Sequence, residues 1–330
     1  MPVRSYEREL TVAVEAVRRA SALCSQVQAQ IAGSVLEKKD RSPVTVADFG
    51  SQAVVCNALY DGFPADHVVA EEASAALKEP GSERLLARVV DVVSAWHPGV
   101  DAATVCDWID LGGADPSGGR FWTLDPIDGT KGFLRGEQYA VALALIEDGT
   151  VQVAVLGCPN LSVARNDARA GVLVAAIRGQ GTRAMALSGE VGPLKVVASR
   201  ESDPRRARFC ESVESGHTDH SEAATIASAL GIVQPSVRLD SQAKYAVVAR
   251  GEADIYMRLP TKPGYVEKIW DHAAGSLVVT EAGGRVSDIH GAELDFSRGR
   301  GLAANAGVIA TNGKLHDRVI DAIAEAGVGR

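Results

Sequence analysis

No stretch of the 330-residue sequence reaches the roughly 18 consecutive apolar residues that suggest a membrane-spanning helix. A G-x-x-x-x-G-K-[ST] phosphate loop is also missing, which disfavours a P-loop nucleotide site. Cysteine is sparse: Cys24, Cys56, Cys106, Cys158 and Cys210 are scattered, odd in number and form no C-x-x-C. That pattern argues against a disulfide framework or a zinc site, and suits reduced core cysteines of a cytoplasmic protein. Basic residues are in deficit, 34 Lys and Arg against 42 Asp and Glu, for a net charge of −8. Nucleic-acid polymers need clustered cations and are therefore not expected as partners. A small anion remains possible, because a pocket can be positive on a negative protein. The opening segment, MPVRSYERELTVAVEAV, carries early acidic residues and no continuous apolar stretch, so it reads as neither a signal nor a transit peptide. Internal repeats and low-complexity segments are absent.

What is present belongs to an ordinary globular chain, 46% hydrophobic and 23% charged. Its length exceeds the usual single core and predicts two lobes. Apolar residues at helical spacing predict a helix from about Tyr6 to Ile31, stopped by Gly33. Further helices are expected from near Thr45 and over Ser82 to Trp96. The middle is strand-rich, with a hairpin signal at Glu147-Asp148-Gly149-Thr150. After Gly192-Pro193 strands and helices alternate, with strands at Leu194 to Ala198, Phe209 to Val213, Ser236 to Leu239 and Ile255 to Leu259. Helices are expected at Ser221 to Leu230, Gln242 to Arg250, Asp271 to Ala282 and Gly313 to Ala324. The fold class is thus α+β for an N-terminal lobe, residues 1–190, and α/β for a C-terminal lobe, residues 191–330.

Four segments carry chemistry. In Trp122-Thr123-Leu124-Asp125-Pro126-Ile127-Asp128-Gly129-Thr130 an apolar strand runs into a turn. Pro126 fixes one backbone angle and Gly129 permits a positive one. Such a turn can aim Asp125, Asp128 and the Ile127 carbonyl at one point, a set of hard oxygens suited to Mg²⁺. The N–H groups of Gly129 and Thr130 can then meet a phosphate oxygen. A plain surface turn would use the same residues. Thr45 can cap a helix with Asp48 near its third position, roughly a capping box, or Asp48 can also face a metal. Glu71-Glu72 ends a short strand, where such pairs are usually solvated but where open α/β sites gather ligands. Asp271 begins a helix, where capping would account for it.

The order is more informative than any one segment: Asp48, Glu71, Asp125-x-x-Asp128-Gly-Thr, then Trp270-Asp271. In that order the chain resembles the lithium-sensitive, metal-dependent phosphatases of the inositol monophosphatase superfamily. DRSPVTVADFGSQA, DPIDGTKGFLRGEQYAVALALI, LDSQAKYAVVARGEAD and YVEKIWDHAAG resemble the eukaryotic-type 3′(2′),5′-bisphosphate nucleotidases. The likeness spans nearly the whole chain and is least specific over Glu79 to Asp115 and the last forty or so residues. Ala70 departs from the Gly found there in many superfamily members.

The resemblance implies a layered α-β-α-β-α sandwich of the inositol monophosphatase/fructose-1,6-bisphosphatase type. It implies Mg²⁺-dependent removal of the 3′-phosphate of adenosine 3′,5′-bisphosphate by a metal-activated water, without a phosphoenzyme. 3′-Phosphoadenosine 5′-phosphosulfate and inositol 1,4-bisphosphate are expected secondary substrates. Two or three ions per site are implied: one on Glu71, Asp125 and the Ile127 carbonyl, a second on Asp125, Asp128 and Asp271, and a weaker third on Asp48 and Glu71. Thr130 would hydrogen-bond Asp48, and together they would orient the attacking water and take its proton. Gly129, Thr130, His217, Ser241, Lys244, Arg258 and Asp271 would contact the substrate. Lithium inhibition, a link between salt stress and sulfur assimilation, and a cytoplasmic monomer complete the expectation. The alternatives are an inositol polyphosphate or inositol monophosphatase and, in another class, an inactive bisphosphate sensor.

Overall fold

The computed structural model describes residues 5–32, 42–116, 119–163, 170–189, 192–213, 220–260, 262 and 264–328. A first sheet holds seven strands in chain order: β1 (His67–Ala70), β2 (Arg120–Asp128), β3 (Ala140–Glu147), β4 (Thr150–Ser162), β5 (Ala170–Ile177), β6 (Gly181–Ala186) and β7 (Leu194–Val196). β1 and β2 are parallel, and the later neighbours are antiparallel. Short loops dictate that topology. Between β3 and β4 only Asp148 and Gly149 intervene, both at positive φ (50° and 73°), the geometry of a tight hairpin that twists with its strands.

The second sheet comprises β8 (Phe209–Glu211), β9 (Val237–Arg238), β10 (Ile255–Arg258), β11 (Arg285–Ser287) and β12 (Val308–Thr311), in the order β11-β12-β10-β8-β9. Leu194–Val196, expected to open the second lobe, pairs instead with β6, because the chain folds straight back as an antiparallel edge strand. The passage between sheets falls between Val196 and Phe209.

Helices complete five layers. α1 (Glu7–Ala32), α2 (Ser42–Gly62), α3 (Glu83–Ser94) and α4 (Ala102–Asp110) cover the outer side of the first sheet. α7 (Ala243–Ala249) and α8 (Ala273–Glu281) lie between the sheets, and α6 (His220–Ala229) and α9 (His316–Glu325) cover the far side of the second. Strand side chains alternate faces, so each strand feeds two cores. In β3, Val141, Leu143 and Leu145 meet the outer helices, while Ala140, Ala142 and Ala144 face the central layer. The small residues let α8 lie close to the sheet. Because α8 is enclosed on both sides, Ala273 to Val279 are all buried, and no polar stripe marks it in the sequence. A Cβ on Gly275 would lie 2.2 Å from the Tyr245 ring, so α7 and α8 can meet only there through glycine.

α2 starts at Ser42, ahead of the Thr45 cap that was expected, because Pro43 is tolerated in a first helical turn and pre-sets its φ. Thr45 is therefore inside the helix rather than at its cap. The nine residues of α4 are too few to show periodicity. Its start is legible in retrospect, since Asp101 accepts the Thr104 amide at 2.8 Å. β11 and β12 were not expected from the sequence, although β8 and β10, of the same lengths, were.

Candidate active site

β1 and β2 run parallel in register, with Ala70 opposite Leu124, so Glu71, the first residue past β1, comes beside Asp125 of β2 at the C-terminal end of the pair. β2 then carries one extra residue against β3, since Asp125 faces Ala142 and Asp128 faces Ala140. That bulge bends the strand and re-aims its side chains. Gly129, at φ 91°, turns the chain into α5 (Thr130–Arg135). A Cβ on Gly129 would sit 2.8 Å from the Ser241 Cβ, so the missing side chain lets the two halves of the site approach. Gly129→Ala is expected to destabilise the fold by about 1–3 kcal/mol through the left-handed backbone alone. It should lower turnover further by displacing Ser241. Urea denaturation beside a phosphate-release assay checks both effects.

Two residues of α2 hold these loops from behind, both fully buried. Ser51 donates to the Pro126 carbonyl at 2.9 Å. Gln52 brackets Glu72, accepting its N–H at 3.0 Å and donating to its carbonyl at 2.7 Å. On the other side the amide N–H of Gln242 donates to Asp128 Oδ2 at 2.6 Å, and the Gln242 side chain donates to the Trp270 carbonyl at 2.8 Å. Gln242 thus joins Asp128 to the turn Ile269–Asp271 that carries Asp271. Neither glutamine was singled out from the sequence. For Gln52, an amide one turn beyond Asp48 and so on the same face of the helix was the available signal.

Glu71, Asp125, Ile127, Asp128, Gly129, Thr130, Ser241, Lys244, Arg258 and Asp271 all line one cavity of about 730 Å³. Asp48 does not line it and sits behind Glu71 and Asp125, close enough to be felt by both. The expected Thr130–Asp48 hydrogen bond is not formed: Asp48 is buried on α2, whereas Thr130 opens α5 on the exposed rim. His217 lies outside the described residues.

The carboxyls crowd one another. Burial, then Glu72 and Asp128, push Glu71 up to about 7. Burial, then Asp128, push Asp271 up to about 8 against the pull of Arg258. Asp125 is held well above the usual carboxylate range by burial and then by Glu71, Asp128, Asp271 and Asp48. Asp48 is raised too, by burial and then by Glu72 and Glu71. The Asp125 Oδ1 atom is buried and has no hydrogen-bond partner. A buried acceptor without a donor, in a cluster that repels itself, fits a hard divalent cation.

A neighbouring trio, Glu267, Asp271 and His272, also brings ligand atoms within 4.8 Å of one another. Glu267 is already engaged there by Arg258 Nε at 2.8 Å and His272 Nε2 at 3.2 Å, and Tyr245 Oη holds His272 Nδ1 at 2.7 Å. Those contacts make Glu267 the anchor of Arg258 rather than a metal ligand. Lys244 is 4% exposed, with Nζ 5.2 Å from the Tyr256 ring centre and 3.5 Å from the Leu239 carbonyl. Burial lowers its pKa, and Asp128 opposes that.

A five-layer sandwich with an acidic cluster at the end of two parallel strands defines a known class, and a sequence profile of the inositol monophosphatase family matches residues 5–327. The chain belongs to that family. Within it, the chain is 47% identical over 347 residues to a 3′(2′),5′-bisphosphate nucleotidase of Emericella nidulans, covering 97% of this chain and 98% of that one. It is 44% identical to a 3′(2′),5′-bisphosphate nucleotidase of Schizosaccharomyces pombe and to 3′(2′),5′-bisphosphate nucleotidase 1 of Arabidopsis thaliana, each time over 97% of this chain and 96% of the relative. Among solved structures, an inositol monophosphatase from Anabaena superposes with a TM-score of 0.64 at 21% identity, over 97% of this chain and 96% of that one. At that identity it speaks for the fold alone.

Proposed function

We propose that this chain is a Mg²⁺-dependent phosphatase that converts adenosine 3′,5′-bisphosphate to AMP and phosphate. The observation that carries this reading is that the Glu71, Asp125, Asp128 and Asp271 cluster opens into the same cavity as buried Lys244 and Ser241. Near-full-length identity to bisphosphate nucleotidases supports the choice of substrate.

Glu71, Asp125 and the Ile127 carbonyl would hold one ion, Asp125, Asp128 and Asp271 a second, and Asp48 with Glu71 a third. Bound divalent cations supply positive charge to the phosphoryl oxygens and lower the pKa of water. The protein's own groups do the rest. Asp48, whose pKa is raised by burial, is the proton acceptor. Gly129 and Thr130 present backbone N–H groups to the phosphate at the rim. Lys244 offers a desolvated point charge to the second phosphate. Arg258, fixed by Glu267 and 3.6 Å from Asp271, lines the same cavity and would offer its guanidinium fork to the second phosphate.

Phosphate release from adenosine 3′,5′-bisphosphate and from inositol 1-phosphate, with Mg²⁺ and then EDTA, tests the reading. A Mg²⁺-dependent preference for the nucleotide is expected. Preference for the inositol phosphate would discard the nucleotide, and no release from either would make the chain a sensor. Lys244→Met is expected to raise KM for the bisphosphate about 10- to 100-fold with a smaller change in kcat, as loss of a charge-assisted contact predicts. An unchanged KM would remove Lys244 from the substrate site. The same assay extends to 3′-phosphoadenosine 5′-phosphosulfate and to millimolar lithium, which together test a role between sulfur assimilation and salt stress. Among the described residues no helix is long and apolar enough to cross a membrane.

A further inference from the structure

Glu71 and Asp271 come from opposite halves of the chain, and Gln242 ties the Asp271 turn to Asp128 but not to the end of β1 that carries Glu71. The structure assigns that tie to Arg300, a residue outside the cavity: we propose that Arg300 is a positioning residue that locks the Glu71-bearing end of β1 to the turn bearing Asp271. This inference rests on the metal site proposed above.

The backbone of Arg300 is sewn to the Asp271 side. Its carbonyl accepts the Ile269 N–H at 3.2 Å. Lys268 and Gly301 form an antiparallel bridge, and the Leu302 N–H donates to the Glu267 carbonyl at 2.8 Å. The side chain alone crosses to the other half. Its Nη2 donates to the carbonyl of Ala70, the residue before Glu71. Its Nη1 reaches the carbonyl of Ala114 at 3.5 Å. Ala114 is itself held against β1, since its N–H donates to the Val68 carbonyl at 3.1 Å. The guanidinium face meanwhile lies 4.9 Å from the ring centre of Trp270, the residue before Asp271.

One planar group therefore fixes the residues immediately preceding two proposed ligands, by its edge on one side and its face on the other. Lysine cannot reproduce this, because an ammonium has neither a fork nor a stacking face. Loss of such supporting contacts typically weakens metal binding about 10- to 100-fold without touching a ligand. A purely structural arginine would leave the metal affinity of the folded protein unchanged.

The test is calorimetric titration of Mn²⁺ into the substrate-free full chain, for the unsubstituted protein, Arg300→Met and Arg300→Lys, with circular dichroism to confirm folding. Arg300→Met is expected to fold and to bind Mn²⁺ at least about tenfold more weakly. Arg300→Lys keeps the charge and is expected to remain about threefold or more weaker than the unsubstituted protein. Unchanged Mn²⁺ affinity in either folded variant would overturn the inference while leaving the metal site standing. Failure of both variants to fold would assign Arg300 to the fold instead, and also overturns it. If the unsubstituted protein binds no Mn²⁺, the metal-site reading itself falls and takes this inference with it.

Discussion

Asp125→Asn is expected to abolish Mg²⁺-dependent turnover, by about a thousandfold or more, while the protein remains folded. Asp125 is the carboxylate on which the two principal proposed ion positions depend. Its surroundings already treat its negative charge as a burden: it is buried, one oxygen has no partner, and Glu71, Asp128, Asp271 and Asp48 all act against its ionisation. Replacing it with a neutral amide of the same shape removes repulsion from the metal-free protein and a ligand from the loaded one. Thermal unfolding should therefore show a melting temperature in EDTA that is unchanged or higher, and a Mg²⁺-induced rise that is lost. A variant that keeps both its turnover and its Mg²⁺-induced rise would remove Asp125 from the site.

The second large effect is on pH. Glu71 and Asp271 are raised in the folded, metal-free protein, to about 7 and about 8, first by burial and then by neighbouring carboxylates. Ordinary carboxyls in an unfolded chain titrate near about 4. The folded state thus binds more protons than the unfolded state between these limits, and stability falls as the pH rises. The favourable contribution is complete below about pH 4 and is lost as the pH rises through about 7 for Glu71 and about 8 for Asp271. Cations compete with the same protons, so Mg²⁺ affinity moves the opposite way. It is expected to rise up to about tenfold per pH unit for each proton displaced. Melting curves at pH 5.5 and 8.5, with EDTA and with Mg²⁺, should diverge: the metal-free protein less stable at the higher pH, and the Mg²⁺-induced increment larger there. A pH-independent increment would show that these carboxyls do not exchange protons for metal. Calorimetry in buffers of different ionisation enthalpy would count the protons released.

How much of this was legible differs from segment to segment. Asp125-Pro126-Ile127-Asp128-Gly129-Thr130 is contiguous, and Pro126 and Gly129 constrain the backbone locally, so the turn could be read as a ligand loop. The structure adds a second reason for Gly129, because Ser241 occupies the space that a Cβ would need. The hairpin at Asp148-Gly149 was likewise readable, since its turn chemistry is local. The helix expected over Asp271 to Ala282 is α8, although both of its sides are covered and it offers no amphipathic stripe, whereas β11 and β12 were not among the expected strands. The supporting residues were hidden for another reason. Gln52 acts on Glu72 across 20 positions, and Arg300 acts on Ala70 across 230.

By itself, then, the sequence determined the chemical inventory: the carboxylates in their order and the turn that presents two of them. Those features depend on side-chain type and on φ preferences within a few residues. Only the tertiary structure decided how the inventory is assembled. It put Asp48 on α2 without a place in the cavity wall, tied Arg258 to Glu267, and set Ser51, Gln52, Gln242 and Arg300 as the struts. The physical reason is that hydrogen bonds, stacking and carboxylate repulsion act over a few ångströms in space, and the parallel pairing of β1 with β2 and the meeting of the two sheets decide which distant residues come within that range.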